Sequence, residues 1–181
     1  LDEGNAYWMK HNNTSPSPVT NGEVVIAVAG TGMIKAYDVE GEELWHYSLQ
    51  EQHGAFGLMW GYASSPLLYD GVLFVEVLHG MNTDDPSYLV AFKAATGEGL
   101  WHRERATDAV GESPDAYTTP TLLEHDGQMQ IVVSGGDYVT GHDPATGKEL
   151  WRAGGLNPNK ETNYRVAGSP VVADGMVYAT S

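Results

Sequence analysis

Ala91-Phe92-Lys93-Ala94-Ala95-Thr96-Gly97-Glu98-Gly99-Leu100-Trp101 is written three times into this chain. The second copy is Gly141-His142-Asp143-Pro144-Ala145-Thr146-Gly147-Lys148-Glu149-Leu150-Trp151. The third, Ala36-Tyr37-Asp38-Val39-Glu40-Gly41-Glu42-Glu43-Leu44-Trp45, is one residue shorter. Each reads as a strand, a tight turn and a strand that ends in an indole. A small residue (Ala36, Ala91, Gly141) stands across the turn from each tryptophan, so the ring can lie flat on it and against a neighbouring unit. Glycine in the turn lets that backbone approach an aromatic face. Trp45, Trp101 and Trp151 are therefore expected to be largely buried docking residues.

A second signature runs out of phase with the first. Ser17-Pro18-Val19-Thr20-Asn21-Gly22 returns at Ser65-Pro66…Asp70-Gly71, at Thr119-Pro120…Asp126-Gly127 and at Ser169-Pro170…Asp174-Gly175. Self-similarity at a period near 50 marks a repeat architecture. Proline is tolerated where a strand opens, and Asn-Gly or Asp-Gly is the strongest short hairpin signal because both residues accept a positive φ. An apolar, β-branched strand follows each corner, as in Val24–Val28 and Gln130–Val133. Four strands per repeat describe a β-propeller blade. No stretch sustains a 3.6-residue periodicity, so almost no helix is expected. The fold class is all-β, with blades at about 15–46, 62–102 and 117–152 and a half blade at 167–181. Gly4-Asn5-Ala6-Tyr7-Trp8 reads either as the last strand of a preceding blade or as loop.

The chain has 181 residues, with 9 Lys and Arg against 24 Asp and Glu, a formal net charge of −15. That field repels phosphate backbones and anionic headgroups, which argues against nucleic-acid binding. It attracts cations and basic surfaces. The absence of cysteine excludes disulfides, thiolate zinc sites and thiol nucleophiles. No run approaches the length of a membrane span, so membrane insertion is not expected. Residue 1 is leucine, and the chain reads as a processed or excised piece without a signal peptide.

The Ala-x-Asp-x-x-Thr-Gly-Lys-x-x-Trp element resembles the tryptophan-docking motif of quinoprotein dehydrogenases and of BamB-type outer-membrane assembly lipoproteins. Trp60-Gly61-Tyr62-Ala63-Ser64-Ser65-Pro66 and His79-Gly80-Met81 look like the pyrroloquinoline-quinone (PQQ)-like repeat proteins of environmental bacteria. The resemblance covers residues 15–181 and implies a ring of seven or eight blades in a periplasmic or secreted protein. Three and a half blades do not close such a ring. The remaining blades are expected from the rest of the polypeptide, another protein or a second copy.

Short turns fall at one end of the blades. The long segments 46–64, 78–87, 102–118 and 152–168 all fall at the other, where binding is usually built. Trp60, Tyr62, Tyr117, Tyr164 and Arg165 precede the first strands there. They are read either as an aromatic rim with one cation, suited to a flat or anionic ligand, or as braces for the loops. Asn82, Asp84 and Asp85 are weak calcium candidates without EF-hand spacing. His79 and His142 are read as hydrogen-bonded packing residues. No catalytic set or cofactor motif is present. The reading is a non-catalytic binding or scaffold module that needs no cofactor. The alternative is a fragment of a PQQ-dependent dehydrogenase, which would take PQQ and calcium. The resemblance implies for those enzymes a vicinal disulfide that this cysteine-free chain cannot form.

Overall fold

A computed structural model describes residues 14–181. The possible strand at 4–8 lies outside the described residues. Blade one comprises β1 (Val19–Thr20), β2 (Val24–Val28), β3 (Met33–Asp38) and β4 (Glu43–Ser48), followed by α1 (Leu49–His53). Blade two holds β5 (Leu67–Tyr69), β6 (Val72–Val77), β7 (Tyr88–Lys93) and β8 (Gly99–Glu104). Blade three holds β9 (Thr121–His125), β10 (Gln128–Gly135), β11 (Tyr138–His142) and β12 (Glu149–Ala153). A final hairpin pairs β13 (Val171–Ala173) with β14 (Met176–Tyr178). Each sheet is antiparallel and follows chain order, giving three four-stranded sheets and one two-stranded sheet. The only helix among the described residues is α1, capped by the Ser48 hydroxyl, which accepts from the Glu51 N–H.

The turn residues do what their chemistry predicts. Asp70-Gly71, Asp126-Gly127 and Asp174-Gly175 all take positive φ at both positions. Asn21-Gly22 departs from this. Only Gly22 has a positive φ, and the Asn21 side chain accepts from the Glu23 and Val24 N–H groups instead. The corner from β1 to β2 is longer, so a two-residue turn is not required there. The short third copy of the docking motif also has a local answer. Ala36 still pairs with Trp45, as Ala91 does with Trp101 and Gly141 with Trp151. The missing residue is taken from the turn, closed by Asp38 N–H to Glu42 O where the others close by Lys93 to Glu98 and Asp143 to Lys148.

Packing between blades makes the core. On β6, Leu73, Val75 and Val77 face blade one, joining Ile26, Val28 and Ile34. Phe74 and Leu78 point the other way, toward Ile131 and Val133 of blade three. The period of two thus buries both faces of blade two, and β6 and β7 are apolar almost throughout. In β2 only alternate residues are buried.

Trp45 and Trp101 dock forward onto the following blade. The Trp45 Nε1–H donates to Ala94 O at 2.8 Å, and the Trp101 Nε1–H donates to Pro144 O at 3.0 Å. Their rings lie on Gly97 and Gly147, where an added Cβ would meet ring carbons at 2.6 Å in both cases. Trp151 has no following docking turn among the described residues. Its Nε1–H donates back to Gln130 Oε1 at 2.6 Å. All three indoles are partly buried, because the outermost strand of a blade keeps one edge in water. The Ser-Pro signature links blades too: Ser17 N–H donates to Ser65 Oγ and Thr119 N–H to Ser169 Oγ.

One core position is charged by type. Glu76 is fully buried between blades two and three. Thr118 Oγ1 lies 2.8 Å from Glu76 Oε1 and 2.7 Å from Ser134 O. A carbonyl only accepts, so the single threonine proton goes to Ser134 O, and the proton in the other bond must come from Glu76. Burial agrees, pushing the Glu76 carboxyl up to about 8. Burial therefore favours the neutral acid at this position.

Candidate functional site

The long connections meet at one end of the blades and are stapled to one another. Asp115, fully buried, accepts from Gly80 and Met81 N–H through Oδ1 and from Met59 N–H through Oδ2. One carboxylate thereby ties three loops together. Burial pushes its titration up, and the three amide donors oppose that. Ser113 Oγ donates to Glu161 O, and Glu112 N–H donates to Thr162 O, fixing the third long loop against the fourth. Tyr117 N–H donates to Val166 O beside a parallel bridge between Ala116 and Val166.

Beneath the loops Arg105 is buried, with Nε donating to Thr140 Oγ1, one terminal nitrogen to Gly135 O and the other to Tyr138 O. His142 continues this chain. Its Nδ1–H donates to Gly147 O, which leaves Nε2 to accept from Thr140. Burial holds the His142 imidazole down at about 4. His79 is bonded likewise, Nδ1 accepting from Gly57 N–H and Nε2 facing Pro86 O. Both histidines pack and orient, as their sequence positions suggested.

The five rim candidates divide. Trp60, Tyr117 and Arg165 come together around Asp115 and Glu112. The Arg165 guanidinium lies 5.8 Å from the centre of the Trp60 ring, forms an ion pair with Glu112 and contacts the Met59 sulfur. Among the described residues the buried Arg165 Nε lacks a hydrogen-bond partner, and the buried Tyr117 hydroxyl lies against the Trp60 backbone. Burial pushes the Tyr117 phenol up to about 12. Tyr164 stands apart, 38% exposed. Tyr62 is not on a rim. It is 1% exposed, packs in the core between blades one and two, and donates to Glu76 O. A large ring beside Gly61 and Ala63 fills the space under the loop, which the sequence does not distinguish from a ring above it. The ion pair with Glu112 also neutralises the one cation on which an anionic ligand would rely.

Asn82 and Asp84 are exposed, and the Asp85 N–H is held by Thr83 Oγ1. No group of three or more His, Cys, Asp or Glu able to hold a metal occurs among the described residues. Asp115, Arg105 and Glu76 escaped sequence reading. The only signal was a glutamate inside the apolar run Val72–Leu78, while Asp115 and Arg105 look like ordinary loop charges.

Three solved structures illustrate the likeness. BamB from Moraxella catarrhalis aligns with a TM-score of 0.58 at 18% identity, over 88% of this chain and 44% of that one. A quinohemoprotein alcohol dehydrogenase from Comamonas testosteroni aligns at 0.56 and 22% identity, over 80% of this chain and 21% of the enzyme. The computationally designed protein Ika4 aligns at 0.56 and 15% identity, over 99% of this chain and 95% of its own. The chain thus spans less than half of the solved BamB and about a fifth of the enzyme. At these identities the likeness shows the fold, a partial β-propeller. No curated protein sequence matches the chain. A family model described as outer membrane protein assembly factor BamB matches residues 1–181, and the chain belongs to that family of PQQ-like propeller repeats.

Proposed function

We propose that this chain is a non-catalytic binding module of an exported protein, periplasmic or secreted, that holds a protein partner on its long-loop face. The observation that carries the reading is the stapling of the long loops into one platform by Asp115, Ser113 and the Arg165–Glu112 pair. Among the described residues the opposite end offers tight turns. A rigid, half-aromatic platform around Trp60, Tyr117 and Arg165 suits a partner surface. The family's description as an assembly factor favours a protein as the thing held. No helix among the described residues is long and apolar enough to cross a membrane.

The blades run at approximately 15–46, 62–102, 117–152 and, as a half, 167–181, with β4, β8 and β12 ending one or two residues beyond these bounds. In this proposal they are part of a ring of seven or eight. Val171, Met176 and Tyr178 of the last hairpin are 60%, 52% and 51% exposed. They suit coverage by further strands from the same polypeptide or a second copy.

The dehydrogenase reading is favoured only by fold. Titration of tryptophan fluorescence with PQQ, with and without calcium, separates the two. The binding-module reading expects no saturable quenching and no dye reduction with primary alcohols. Stoichiometric, calcium-dependent quenching would establish the enzyme reading instead.

A further inference from the structure

A cleft of about 150 Å³ opens at the outer seam of blades one and two, lined by His53, Asp85, Pro86, Tyr88, His102 and Glu104. It lies at the same end of the blades as the long loops, and neither Trp60 nor Arg165 lines it. Three rings form its base. The imidazoles of His53 and His102 stack with centres 4.5 Å apart and planes 14° from parallel. The Tyr88 ring packs against both, at 5.3 and 4.8 Å. Tyr88 is 2% exposed, and neither its hydroxyl nor His102 Nε2 has a hydrogen-bond partner among the described residues. Glu104 stands opposite Tyr88 in the β7–β8 register, and Asp85 lies across the cleft. Both carboxylates are exposed, and neither is in an ion pair among the described residues. Among the described residues no lysine or arginine lines the cleft.

We infer that this cleft binds a guanidinium group, the head of an arginine side chain. The chemistry is complementary throughout. A guanidinium is flat, weakly hydrated and made only of donors, and it stacks on aromatic faces. The cleft offers a stacked ring surface, two carboxylates at its mouth, and at its base a hydroxyl and a ring nitrogen without partners. Burial lowers the titration of both imidazoles, so at neutral pH they do not repel a cation. The volume holds roughly five waters' worth of ligand, enough for one such head and too little for a nucleotide. The net charge of −15 steers cations toward the surface. This inference does not rest on the function proposed above, since the two sites share no residue.

The test is an NMR titration of the ¹⁵N-labelled chain with N-acetyl-arginine methylamide at constant ionic strength. Saturable shifts centred on Tyr88, His53 and His102 are expected. Glu104→Gln and Asp85→Asn, both at exposed positions, should each weaken binding about three- to fivefold. Glu98→Gln, on an exposed carboxylate paired with Lys93 elsewhere, should leave it unchanged. Non-saturating shifts, or equal losses in all three variants, would mean a diffuse acidic surface and overturn the inference. So would equal affinity for the N-acetyl-lysine analogue. Preference for a Gly-Arg-Gly peptide over guanidinium ion supports a peptide arginine as the source, and parity supports a free guanidinium compound.

Discussion

Thr118 has one hydroxyl proton and two oxygens within reach of it, and that count makes Glu76 a proton donor. The consequence is a signed pH dependence. Unfolded, the carboxyl releases its proton near 4.5, whereas in the fold it holds on until about 8. Its contribution to stability is therefore full below 4.5 and falls as pH climbs toward 8. The steepest loss is about 1.4 kcal/mol per pH unit, with a plateau above. His142 acts oppositely: its imidazole, held at about 4, adds stability as pH rises toward 6.5. Comparison with Glu76→Gln isolates the acid. The variant should gain on the wild type steadily between pH 4.5 and 8 in urea titrations. Parallel stability curves would show that Glu76 is already ionised in the fold. Tryptophan gives a second test. Trp101→Ala should cost about 3 kcal/mol or more, because a docked ring leaves a cavity. Trp151→Ala should cost at least about 1 kcal/mol less, because no following turn covers that ring. Equal losses would show that docking on the next blade contributes nothing.

At the scale of elements, the docking turn is the joint between blades, and glycine tests it with an internal control. Gly97 and Gly71 share a positive φ, 71° and 73°, so alanine pays similar backbone strain at either. Only at Gly97 does the new Cβ meet the Trp45 ring, while Gly71 has nothing within 4 Å. Gly97→Ala should therefore lower the denaturation midpoint clearly more than Gly71→Ala, by about 1–3 kcal/mol of extra cost. A similar loss at both positions would mean that strain alone is measured. These joints were legible in the sequence, since Ala91, Gly97 and Trp101 are local and repeated. The staples of the loop face were not. Asp115 works through amides of Met59, Gly80 and Met81, dozens of residues away, and no spacing rule announces it. Tyr62 and Tyr117 stand at like positions before their strands. The structure buries the first in the core and leaves the second partly buried against the same core, beside Trp60.

On the scale of the molecule, both faces of blade two are covered, whereas the last hairpin presents Val171, Met176 and Tyr178 to water. The outer edge of β14 is unpaired among the described residues. Exposed apolar area costs about 25 cal/mol per Å², and an open strand edge recruits other strands. The same logic runs through the tryptophans: Trp45 and Trp101 each find the next blade's glycine, and Trp151 turns back to Gln130. Everything in the architecture hands on from one blade to the next. Light scattering on the purified 181-residue chain tests this most directly. The account predicts that the chain associates, with a dimer as the smallest stable species and an apparent melting temperature that rises with concentration. A monodisperse, thermally stable monomer whose melting is independent of concentration would contradict it.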